Sequence, residues 1–132
     1  MDAEALQAGL DATLGFTFDE VGSDRVVLHW TVGPQHLQLY GIVHGGVHCA
    51  AVETAASFGA ALWFGDRGRV VGVANHTDFL RASREGDRLV ATATPIHRGR
   101  TQQLWQVEIV DAEQRLVARG EVRVQNLDRP AT

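Results

Sequence analysis

The sequence predicts an α+β domain: one antiparallel sheet wrapped around one long central helix. Three observations carry that expectation. "GGVHCAAVETAASFGAALWF" (45–64) is a single small-residue, apolar run of helical length. Four segments rich in β-branched and aromatic residues follow it, separated only by the short turn signals "REGD" (84–87), "RGR" (98–100) and "DAEQ" (111–114). One further strand pattern, "RVVLHWTV" (25–32), precedes it. Short turns between successive strands favour antiparallel neighbours, and 132 residues at 45% hydrophobic and 21% charged suit a single domain over 1–132.

Taken in order, residues 3–14 read as a short amphipathic helix ending at Gly15. The strand at 25–32 follows "GSD" and stops at Gly33-Pro34, where proline cannot continue a ladder. A loop over 35–43 leads into the long helix, which "GDRG" (65–68) ends. Strands are expected at 69–82, 88–97, 101–110 and 115–126. The last alternates cleanly, with Leu116, Ala118, Gly120, Val122 and Val124 on one face and Arg119, Glu121 and Arg123 on the other. At about 100° per residue, His44, Val47, Ala51, Ala55, Phe58 and Leu62 form the helix stripe expected to face the sheet. Gly46, Cys49, Glu53, Ser57, Ala60 and Phe64 take the opposite side, where only Glu53 is charged. A helix apolar nearly all round is normally covered all round, so a homodimer at least is expected, with Glu53 near its interface.

Composition excludes several functions. A net charge of −4 argues against general nucleic-acid binding. All twelve basic residues are Arg, which removes a Schiff-base or P-loop lysine. The single Cys49 permits neither a disulfide within the chain nor a cysteine zinc cage. The acidic start "MDAEALQAGLDATLG" has no signal-peptide pattern, and a cytoplasmic protein is expected. The run from Val47 to Phe64 approaches membrane-spanning length, but a central Glu costs about 2.5–3.5 kcal/mol there, so a membrane span is rejected.

Three motifs bear on chemistry. "GIVHGG" (41–46) puts two glycines at a helix start, where unpaired N–H groups and the helix dipole suit a developing oxyanion; the plain structural alternative is tight packing. Glu53 lies nine residues beyond His44, about 13 Å along the axis. It therefore reaches a group bound at Gly45 only if the substrate spans the gap or a second subunit supplies the glycine. Burial would raise its pKa toward that of a general base or desolvate it as a nucleophile, and Ser57 is one turn on. His44 and His48 have the i, i+4 spacing of a metal pair, but no third ligand is evident. His44 reads better as a structural histidine at the helix entry, and Cys49 as a buried thiol. "HRGRTQQ" (97–103) places two guanidinium groups at a hairpin tip, able to grip phosphate or to stand solvated, and Arg81 and Arg84 are candidates to extend the patch.

Together these residues resemble the hotdog-fold acyl-CoA thioesterases, most closely the branch of 4-hydroxybenzoyl-CoA and phenylacetyl-CoA (PaaI-like) enzymes. The pattern is filled by Gln38, Gly41, His44-Gly45-Gly46 and Glu53, and the similarity continues through "VVGVANHTDFLRA", "PIHRGRTQQLW" and "ARGEVRVQN". The resemblance implies that the Gly45 N–H polarises a thioester carbonyl while Glu53 of a facing subunit attacks it or activates water. It implies that Gln38 orients substrate or water, His44 holds the junction, and Ser57 stands beside the acid. Gly46, Arg81, Arg98, Gly99, Arg100 and Thr101 are the implied contacts for substrate and CoA. A homotetramer built from two dimers is the common assembly, and no metal or redox cofactor is implied. Hydrolysis of an aromatic or medium-chain acyl-CoA is the leading expectation. The alternatives are a non-catalytic acyl-CoA binding protein and an acyl-thioester dehydratase or hydratase. Trp63, Phe64, His76 and Phe79 are candidates to shape the acyl pocket.

Overall fold

A computed structural model describes residues 8–130. Its elements are α1 (Gly9–Thr13), β1 (Thr17–Val21), β2 (Val26–Thr31), α2 (Gly45–Phe64), β3 (Gly68–Phe79), β4 (Arg88–Arg98), β5 (Gln102–Val110) and β6 (Leu116–Asp128). The strands form one six-stranded sheet in the order β1-β2-β4-β5-β6-β3, antiparallel throughout, and α2 lies across its concave face. This is the expected hotdog arrangement.

Alternation places the core. Leu89, Ala91 and Ala93 of β4, Trp105, Val107 and Ile109 of β5, and Ala118, Val122 and Val124 of β6 are buried toward α2. Between them, Thr92, Thr94, Gln106 and Arg119 are only half-buried on the convex face. Small residues let helix and sheet approach closely. At Gly59 a Cβ would fall 2.6 Å from the Trp105 ring, so this glycine is required by packing. Trp105 is fully buried there, with Nε1 donating to Gln103 Oε1 at 2.8 Å. Gly45–Arg67 has the length and apolarity of a membrane span, but half of its most apolar 18-residue window is buried within the fold.

Three expectations need correction. The strand β1 was not anticipated. Among the described residues it pairs only with β2; it carries Asp19 and Glu20 and has no buried residue, so neither alternation nor apolarity marks it. The buried face of α2 is Val47, His48, Ala51, Val52, Ala55, Ala56, Gly59, Ala60 and Phe64, rotated from the expected stripe. His44 is exposed and Phe58 half-buried, whereas Ala60 and Phe64, assigned to the other side, are core. Alanine and glycine all round the helix leave periodicity little contrast with which to select a face. The described part of the N-terminal helix is Gly9–Thr13; residues 3–7 of the expected span lie outside the described residues. Finally, β3 ends at Phe79 rather than at residue 82.

Candidate active site

The loop before α2 is fixed by a histidine that sequence reasoning passed over. His36, 1% exposed, accepts the Gly33 N–H on Nδ1 (2.9 Å) and through Nε2 bonds the Leu14 carbonyl (2.6 Å). The His36 carbonyl in turn accepts the His44 N–H at 2.8 Å, which places the helix entry. Gln38 and Gly41 close a turn: the Gly41 N–H donates to the Gln38 carbonyl at 2.9 Å, and φ is 78° at Gly41, a conformation that favours glycine. The Gln38 Oε1 accepts from the Tyr40 N–H.

His44 is the N-cap of α2, and its Nδ1 accepts the Gly46 N–H at 2.8 Å. That acceptor role places the proton of a neutral imidazole on Nε2. The cap satisfies Gly46 and leaves the Gly45 N–H as a donor with no partner among the described residues. Phe79 covers this glycine: a Cβ at Gly45 would lie 2.6 Å from ring atoms of Phe79. Gln38, Gly45, His48, Phe79 and Arg81 line one cleft of about 300 Å³. His48, packed between Trp30 and Phe79 with tilted rings at centroid separations of 6.2 and 5.9 Å, has an Nδ1 without a partner among the described residues. Burial pushes its pKa down from 6.5 to about 4, which keeps it neutral near pH 7.

Glu53 opens into a different cleft, about 320 Å³, lined also by Asp11, Thr54, Ser57, Phe58 and Val70. The Thr54 hydroxyl donates to Asp11 at 2.6 Å and ties α1 to this side of α2. Ser57 Oγ donates to Glu53 Oε2 at 3.4 Å, and Asn75 Nδ2 donates to Oε1 at 3.0 Å. Gly72 of β3 lies directly against the carboxylate, because a Cβ there would overlap Oε2. Asn75 and Gly72 were not singled out from the sequence; the isolated glycine inside a strand pattern was the available signal.

The structure brings Gln38, His44, Gly45, Gly46 and Arg81 to one end of α2, and Glu53 and Ser57 together at its middle, about 12 Å along the axis. It does not unite the arginines. Arg81 lines the Gly45 cleft, whereas Arg98 sits at the far end of α2, its guanidinium 5.3 Å from the Trp63 ring. Arg98 also donates to the Ser23 carbonyl and to Asp24. The Gly99 and Arg100 carbonyls accept from Asn126 Nδ2, and the Thr101 carbonyl from its N–H. His76 points away from α2 and pairs with Asp78 at 3.2 Å, while Phe64 belongs to the core.

Residues 40–118 match the thioesterase superfamily. A Mycobacterium tuberculosis protein named as an esterase is 50% identical over 89% of this chain and 86% of its own length. The 1,4-dihydroxy-2-naphthoyl-CoA hydrolase of Escherichia coli is 32% identical over 86% of this chain and 85% of its own. Among solved structures, AziG of S. sahachiroi superposes with a TM-score of 0.90 at 53% identity, covering 92% of this chain and 98% of that one. The E. coli PaaI protein from the phenylacetic acid degradation operon gives 0.83 at 27% identity, over 98% and 92%. The chain therefore belongs to the thioesterase superfamily and is a hotdog-fold thioester hydrolase.

Proposed function

We propose that this chain hydrolyses an aromatic acyl-CoA to the free acid and CoA, in a site completed by a second copy of itself. The observation that carries the reading is the pairing of a Gly45 N–H at the start of α2, unpartnered among the described residues, with a carboxylate held at the helix middle, in separate clefts. One subunit supplies the oxyanion donor and the other supplies Glu53. A second copy has a surface to dock on. The twelve-residue β3 is a sheet edge and exposes Val71 and Val73, a row of open backbone groups suited to strand pairing. Tetramer formation from two such dimers is the larger assembly in this reading, and the cytoplasm its compartment.

In the general-base form, Glu53 takes a proton from water as the water oxygen attacks the thioester carbon. The Gly45 N–H stabilises the oxyanion, the C–S bond breaks, and the CoA thiolate leaves and is protonated. In the nucleophilic form, Glu53 attacks first, CoA thiolate departs from a mixed anhydride, and water then hydrolyses that anhydride. Gln38 orients substrate or water, His44 fixes the helix entry by capping it, and Ser57 steadies the carboxylate. Gly46 and Arg81, beside the oxyanion donor, are the contacts assigned to the thioester end and the CoA chain. Arg98, Gly99, Arg100 and Thr101 are assigned to the nucleotide phosphates. The E. coli relative named for 1,4-dihydroxy-2-naphthoyl-CoA favours an aromatic over a straight-chain acyl group.

The test is thiol release from 1,4-dihydroxy-2-naphthoyl-CoA, 4-hydroxybenzoyl-CoA, phenylacetyl-CoA and straight-chain acyl-CoAs by wild type and Glu53→Gln. Wild type is expected to turn over an aromatic thioester fastest, and Glu53→Gln to lose at least ~10²-fold in kcat. An inert wild type, or an equally active Glu53→Gln, would overturn the reading.

A further inference from the structure

We infer that Asn75 is a positioning residue for Glu53, and that the Thr77 hydroxyl braces the amide in the orientation in which it works. The inference rests on the proposed role of Glu53 and adds the device that aims it. Asn75 Nδ2 has two hydrogens and two acceptors: Glu53 Oε1 at 3.0 Å and the Cys49 carbonyl at 3.1 Å. Asn75 Oδ1 accepts the Thr77 hydroxyl at 2.7 Å. Three of the four bonds this amide can form are thus made within the chain, although the residue itself is exposed. The two acceptor-only partners, the Glu53 carboxylate and the Cys49 carbonyl, fix one amide orientation, because flipping it would turn the Oδ1 lone pairs toward both; the Thr77 hydroxyl, which can donate or accept, completes that orientation by donating to Oδ1. The carboxylate is therefore held from β3 by Asn75, from α2 by Ser57, and admitted at all because Gly72 has no Cβ.

The backbone shows why two positions three apart on one strand can serve one carboxylate. Along a regular strand, residues 72 and 75 point to opposite faces. A register shift lies between Gly72 and Ala74, where Gly72 pairs with Val124 but Ala74 with Arg123, so Val73 is the extra residue. Beyond the bulge, Asn75 pairs with Val122, Thr77 with Gly120 and Phe79 with Ala118. Those three β6 residues are buried toward α2, and directly opposed residues share a sheet face. The one-residue bulge thus turns Asn75 and Thr77 toward Glu53 and brings Phe79 over Gly45.

The test compares steady-state kinetics on the best acyl-CoA for wild type, Glu53→Gln, Asn75→Ala, Asn75→Asp, Thr77→Val and Thr77→Ser, with circular dichroism and sedimentation of each. Mis-aiming a reacting group by about 1 Å can cost ~10²-fold. Asn75→Ala is therefore expected to lose roughly 10- to 100-fold in kcat with KM changed less than about threefold, the pattern of an interaction that matters at the transition state. Asn75→Asp keeps the shape but faces Glu53 with a carboxylate instead of a donor, and is expected to lose at least as much as Ala. A residue that merely fills space would tolerate Asp best. Thr77→Val should lose part of the rate and Thr77→Ser, which keeps the hydroxyl, should restore it to within about twofold. If Glu53→Gln is impaired while both Asn75 variants retain wild-type kcat, or Asp is the milder of the two, the inference fails and the role of Glu53 stands. If Glu53→Gln is itself unimpaired, both fall.

Discussion

Acid should weaken this fold through His48. The ring is 3% exposed, between Trp30 and Phe79, and its Nδ1 has no partner among the described residues. Burial lowers its pKa from 6.5 to about 4. The unfolded chain therefore binds a proton at this side chain that the folded chain refuses between those two pH values. Stability falls as pH drops through that window and is intact above it. The gap of 2.5 pH units corresponds to about 3 kcal/mol in full, of which about 2 kcal/mol is lost between pH 7 and pH 5. Asp111 does not interfere. The backbone N–H of Arg115 is the main cause holding its carboxyl below the ordinary 3.8, so its stabilising contribution is present above that value and is lost only at lower pH.

The assay is urea unfolding at pH 7, 6, 5 and 4.5, at one protein concentration because subunit association would shift the midpoint. His48→Phe serves as reference: it keeps an aromatic ring between Trp30 and Phe79 and cannot titrate. Subtracting its pH dependence from that of the wild type cancels the other histidines and leaves His48. The wild type should lose about 2 kcal/mol more than the variant by pH 5. Curves parallel to within about 0.5 kcal/mol across the range would refute the reasoning, since a side chain that titrates alike in both states gives no differential slope.

Further outcomes follow from particular contacts. Gly45→Ala would put a Cβ 2.6 Å from the Phe79 ring, and overpacking of about 1–3 kcal/mol at the proposed oxyanion turn should cut thioester turnover at least about fivefold. Adding Phe79→Ala removes the collision and should recover part of that loss in the same thiol-release assay. Asn126→Ala removes an acceptor for Gln103 (2.9 Å) and a donor to the Gly99 and Arg100 carbonyls (3.0 and 3.2 Å), and should cost about 2–3 kcal/mol in urea unfolding.

What the sequence made legible depends on contrast. The β6 pattern is readable because Arg119, Glu121 and Arg123 stand between Ala118, Gly120, Val122 and Val124, so a period of two is unmistakable. The same logic exposed Glu53, a lone charge in an apolar helix, and the turn of Ser57 beside it. It failed where contrast was missing. Alanine and glycine on every side of α2 hid which face meets the sheet, and β1, short, acidic and paired on one side only, looked like a loop. Asn75 and Thr77 could not be aimed from the sequence, because their direction turns on a one-residue bulge that a count of alternating positions cannot see.

That bulge links two properties of β3 that could otherwise be independent. The strand is one edge of the sheet, with its outer backbone groups available to another strand, and it is also the wall against which Glu53 is held. A central strand could seat the carboxylate but not meet a partner; an edge strand without the bulge could meet a partner but would turn Asn75 away. Glu53 cannot be moved closer to Gly45 along its own helix, since the rise of 1.5 Å per residue fixes about 12 Å between them. In the proposed reading, the chain overcomes that distance by seating its carboxylate on the same strand that receives a second copy. The oxyanion donor of that copy can then approach without either group leaving a rigid element. Positioning of the acid and completion of the site thus become consequences of one strand's geometry.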